Sequence, residues 1–184
     1  MNNYDRTESE KLINLNSDFL KSYGTTEEGK RIKINDDFTI LVKKPAIYQT
    51  GYVDEVFRAL NYPKAINGYK DGLMNLDENE EESARISISL KETYETDEVR
   101  DKVMNELDLK RMLESMTAEG EEYKVLCDSK DLKIGYTTMQ ATWLRAISIV
   151  IITRKGIYIG DSLNFLDEQT TKKWTEELLN SIEI

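Results

Sequence analysis

Ile147-Ser148-Ile149-Val150-Ile151-Ile152 is β-branched at every position but one and apolar on both of its alternating faces. Side chains along a strand point alternately to the two sides of a sheet. This run therefore predicts a central strand with a layer packed on each face. Strands are expected on either side of it. Tyr123 to Cys127 and Leu132 to Trp143 precede it, and Arg154-Lys155-Gly156 turns the chain into Ile157-Tyr158-Ile159. Asp167 then caps a terminal helix in which Trp174, Leu178 and Ile182 recur four apart, the spacing of one helix face.

Upstream, Ala84 to Leu90 alternates, with Ile86, Ile88 and Leu90 on one face and Arg85, Ser87 and Ser89 on the other, which predicts a half-buried strand. Thr96-Asp97-Glu98 opens a helix with acids in its first turn, where the helix dipole favours them. Its apolar stripe is Val99, Val103, Leu107, Met112 or Leu113, and Met116, and it runs to about Ala118 with Gly120 just beyond. Arg31 to Lys44 reads as two strands around Asn35-Asp36-Asp37, with Pro45 ending the pairing. Val53 to Leu60 reads as a short helix, since Val53, Val56, Phe57 and Leu60 share a helical face. From Asn61 to Ser83 the periodicity fades into an irregular excursion with room for a strand near Leu73-Met74. At the amino end, Thr7-Glu8-Ser9-Glu10 has capping-box spacing, and Leu12, Leu15, Phe19 and Tyr23 continue a helix that stops at Gly24.

These elements predict one α+β domain over residues 1–184, with a mainly antiparallel sheet flanked by helices. Residues 1–30 are its amino-terminal helix and linker, and residues 31–184 its core. There is no internal repeat.

The chemical inventory narrows the function. Histidine is absent, which removes Ser-His-Asp and Cys-His catalysis and most catalytic zinc sites. Cys127 is the lone cysteine, so an intramolecular disulfide and a multi-cysteine metal site are both excluded. In Val125-Leu126-Cys127 it reads as a small core residue. The glycines are isolated and form no phosphate-binding loop. Carboxylate pairs such as Asp54/Glu55 leave a carboxylate-dependent hydrolase as a minor alternative, because 35 acids produce such pairs by chance. No catalytic, cofactor or metal residue is assigned.

With 25 Lys and Arg against 35 Asp and Glu, the formal charge is -10. That disfavours nucleic acid and anionic lipid, both of which are bound through Lys and Arg, and it favours a protein partner with a basic surface. No apolar run reaches the length of a membrane span, and Met1 to Arg6 opens no export signal. The expected location is cytoplasmic, or envelope-anchored if a signal segment has been removed.

Several segments have a familiar arrangement. Arg31-Ile32-Lys33-Ile34-Asn35-Asp36-Asp37-Phe38-Thr39-Ile40-Leu41-Val42 running on to Pro45 is similar to the opening hairpin of the Mog/PsbP-like family. Leu132-Lys133-Ile134-Gly135-Tyr136 resembles the strand that follows that family's long helix. Ile157-Tyr158-Ile159 with Trp174 to Ile184, ending Asn180-Ser181-Ile182-Glu183-Ile184, resembles its closing strand and helix. The resemblance covers about Arg31 to Ile184. It implies an α/β/α sandwich used for binding, with no catalytic motif to carry over. Members include a Ran-binding transport factor, a photosystem subunit, envelope lipoproteins and chaperones of secreted toxins. This chain departs from the pattern by its Thr7–Tyr23 helix and its Asn61–Ser83 excursion.

The candidate partner-binding residues lie in and around that excursion. Tyr48, Tyr52, Tyr62 and Tyr69 cluster where regular structure reads weakest, and Tyr pairs a rigid apolar body with a polar tip suited to interfaces. Packing of a loop over the sheet would explain them equally well. Asp77, Glu78, Glu80, Glu81 and Glu82 form the densest charge run. It lacks the alternating ligands and turn glycine of a calcium loop, so it reads as a solvated loop or as a surface for a basic partner. The expectation is a non-enzymatic binding protein of the immunity or inhibitor type that occludes a toxin or enzyme. The alternatives are a secretion chaperone or adaptor and the ectodomain of an envelope lipoprotein.

Overall fold

The computed structural model describes residues 24–26, 30–42, 46–52, 55–61, 84–141, 144–164 and 168–184. The Thr7–Tyr23 helix, the Asn61–Ser83 excursion beyond Asn61 and the Asp167 cap lie outside the described residues.

The strands are β1 Gly24–Thr26, β2 Lys30–Ile34, β3 Phe38–Val42, β4 Ala46–Tyr52, β5 Glu55–Asn61, β6 Ala84–Thr93, β7 Tyr123–Asp128, β8 Leu132–Ala141, β9 Leu144–Thr153 and β10 Gly156–Asn164. The helices are α1 Asp97–Glu106, α2 Leu109–Met116 and α3 Glu168–Asn180. Eight strands form one sheet in the order β1-β4-β5-β6-β10-β9-β8-β7, while β2 and β3 form a separate two-stranded sheet. Among the described residues every pairing is antiparallel. The fold is α+β, with an antiparallel sheet flanked by helices.

β9 lies inside the sheet between β10 and β8 and is buried on both sides. Ile147, Ile149 and Ile151 join the larger core with the β2–β3 residues Ile32, Ile34, Phe38, Ile40 and Val42 and with Trp174, Leu178 and Leu179 of α3. Val150 and Ile152 face the other way and pack with Met104 of α1 and Leu109 and Leu113 of α2. The hairpin and α3 thus cover one face, and α1 and α2 cover part of the other. Gly135 of β8 lets α2 come close, since a Cβ there would collide with Leu113 and press on the Lys124 carbonyl.

Two expectations are corrected. Val53 to Leu60 is not a helix: Glu55–Asn61 is strand β5, paired with β4 on one side and β6 on the other. Val56, Phe57 and Ala59 are all buried in the larger core, so the sheet's demand for a partner between β4 and β6 overrides the helical spacing. The helix read from Asp97 to Ala118 is two helices. Leu107 and Asp108 turn extended, and Asp108 Oδ1 accepts the Arg111 amide at 2.9 Å, capping α2 as Thr96 caps α1. The break brings Leu109 and Leu113 onto the sheet beside Met104, while Val99 and Met116 of the expected stripe are exposed. β6 is longer and more covered than its alternation implied, because Ser87 is buried along with Ile86 and Ile88. Among the described residues no helix is long and apolar enough to cross a membrane.

Candidate interaction surface

The candidate residues of the sequence divide into two groups. Tyr48 and Tyr52 are in β4, where Tyr48 pairs with Gly24 and Ala59 and Tyr52 pairs with Glu55 beside the turn into β5. Their backbones belong to the sheet ladder rather than to a loop. Four positions along a strand separate them by about 13 Å. Tyr62, Tyr69, Asp77, Glu78, Glu80, Glu81 and Glu82 lie outside the described residues. The stretch that holds them leaves and re-enters the sheet at one paired position, Asn61 opposite Ala84.

Among the described residues, other tyrosines organise polar structure. Asp37 is the extra residue of the β2–β3 turn. Asn35 and Asp36 take φ of 48° and 53°, a left-handed turn that Asn and Asp tolerate, and the Asp37 amide closes it onto the Ile34 carbonyl at 2.9 Å. That geometry sends the buried Asp37 carboxylate down onto the main sheet. Its Oδ2 accepts from Thr153 Oγ1 at 2.6 Å and from Tyr158 Oη at 2.8 Å. The Tyr158 ring meets Phe38 edge-on at 5.1 Å, Tyr94 Oη donates to the Thr153 carbonyl at 2.8 Å, and Lys155 Nζ donates to the Asp36 carbonyl. Burial, reinforced by the Asp37 charge, pushes the Tyr158 hydroxyl well above the usual phenol range, and Tyr94 moves the same way for the same reasons. Both phenols stay protonated donors. The network joins the two sheets, and its sequence signal was limited to the turn chemistry of Asn35-Asp36-Asp37.

A second buried phenol fixes α3. Tyr136 Oη donates to Glu176 Oε1, and Lys124 Nζ bonds both carboxylate oxygens at 3.0 and 2.9 Å. Burial alone would raise the Glu176 carboxyl. The Tyr136 and Lys124 hydrogen bonds outweigh it and hold the group below its ordinary range.

Other carboxylates are tied in the same manner. Asp128 takes the buried Lys133 ammonium, and Asp101 pairs with Arg100 at 3.0 Å and Arg154 at 2.7 Å. Glu121 accepts from Thr138 at 2.6 Å, and Glu122 pairs with Lys172 at 2.6 Å. A cleft of about 150 Å³ beside the start of α1 is lined by Tyr94, Arg100, Arg154 and Lys155 among others. The cations there already face Asp97, Asp101 and the Asp36 carbonyl. Among the described residues no group of three His, Cys, Asp or Glu is placed to hold a metal ion. Cys127 is half-buried against the larger core, its Sγ donating to the Leu132 carbonyl at 3.4 Å.

The charge around the helical layer is acidic in balance, although Lys102, Lys110 and Arg111 are exposed there too. From Lys91 to Asp131, the segment that carries α1 and α2, thirteen carboxylates stand against seven Lys and Arg. Glu98, Glu106, Asp108 and Glu114 are exposed on or between these helices, and so are the apolar Val99 at 45% and Met116 at 52%. An acidic balance is unfavourable for contact with phosphate. At the β7 edge of the sheet, a bulge between Val125 and Cys127 and the charged Lys124 and Asp128 discourage strand addition. Neither a family model nor a curated protein matches this chain.

Proposed function

We propose that the protein acts by binding rather than by catalysis, as an immunity- or inhibitor-type protein that covers a basic surface of a toxin or enzyme. The observation that carries this reading is the acidic excess of the Lys91–Asp131 segment, whose two helices also expose the apolar Val99 and Met116. Long-range attraction from such a field speeds encounter with a basic partner, and desolvated apolar side chains then hold the complex. The acidic run Asp77 to Glu82 adds to the net negative charge. Capture of partners from native lysate at low salt tests it. The expected result is a stoichiometric protein of basic isoelectric point whose own activity is lost in the complex. A captured partner that keeps its activity would support instead a chaperone or adaptor, the role suggested by the Mog/PsbP-like resemblance and by a sheet flanked with helices. Turnover of a small substrate by the purified chain would overturn both.

A further inference from the structure

We draw no further inference here: the strongest candidate, the polar row that Thr137, Ser148, Asp161 and Ser87 form across β8, β9, β10 and β6 on the face of the sheet that α1 and α2 partly cover, carries nothing because nothing in the structure shows what covers it.

Discussion

Tyr158 Oη donates to Asp37 Oδ2 at 2.8 Å, across 121 positions of sequence and between two different sheets. The same oxygen takes the Thr153 hydroxyl, so a single carboxylate holds the hairpin turn against the β9–β10 turn. Asp37→Ala removes the acceptor shared by two buried hydroxyls, of which Thr153 keeps the Gly156 carbonyl at 3.3 Å. It is expected to cost about 1–3 kcal/mol, the cost of a buried group losing its partner. Tyr158→Phe removes one donor and is expected to cost about 1 kcal/mol. Urea denaturation of the single and double variants checks this. The double variant should cost less than the sum of the two, because the partners share one bond.

Trp174 is 2% exposed and packs with Leu178 and Leu179 against the β2–β3 hairpin and the sheet. Trp174→Ala is expected to lower stability by about 3–5 kcal/mol, the usual range for removing a large buried aromatic. An unchanged denaturation midpoint would contradict the packing of α3 on that face.

Gly160 lies where β10 meets β6, and a Cβ there would collide with the Ser87 carbonyl oxygen. The obstacle is backbone within a ladder and cannot swing aside as a side chain can. Gly160→Ala is therefore expected to cost about 1–3 kcal/mol, as overpacking does. Thermal unfolding reads the change. Stability equal to wild type would place β10 and β6 further apart than the register requires.

Acid should destabilise the protein through Glu176, Asp101 and Glu122, each held below its ordinary carboxyl range. For Glu176, Tyr136 and Lys124 outweigh burial. For Asp101 the Arg100 hydrogen bond dominates, with Arg154 adding to it, and for Glu122 the Lys172 hydrogen bond dominates. A carboxyl with a depressed folded pKa contributes stability above its unfolded value, 4.5 for Glu176 and Glu122. That contribution is lost as pH falls through the lower folded value. Denaturation midpoints should hold steady above about pH 5 and fall below about pH 4. Glu176→Gln keeps an acceptor for Tyr136 but loses the charge that attracts Lys124, and should flatten part of that fall. A midpoint that rises on acidification would contradict the sign.

The elements readable in the sequence were those whose local pattern and final environment agree. β9 is apolar on both faces because layers cover both, and Asn35-Asp36-Asp37 turns where a left-handed backbone is needed. Trp174 and Leu178 mark the buried face of α3, and Ile182, just past its end at Asn180, is buried as well. β5 was misread because Val53, Val56, Phe57 and Leu60 match a helical face by spacing, while pairing with β4 and β6 decides the state of Glu55–Asn61. The helix break at Leu107-Asp108 was hidden because Val103 and Leu107 sit four apart, a spacing a straight helix would share. The Asp37–Tyr158 contact was illegible, as nothing local links a turn acid to a strand tyrosine so distant in sequence. The net acidity and its local excess from Lys91 to Asp131 were legible, but the exposure of Val99 and Met116 needed the fold.

The association rate of the captured partner across a salt series tests the central claim most directly. Wild-type association should slow steeply as salt rises. Two charge-reversed variants, Glu106 and Glu114 to Lys and Glu80, Glu81 and Glu82 to Lys, report on the helical layer and the acidic run separately. The account predicts that the helical-layer variant associates at least about tenfold more slowly at low salt, with a flattened salt dependence and unchanged unfolding, since exposed charges act mainly through encounter. An acidic partner, or association that is indifferent to both salt and the helical-layer reversal, would contradict it.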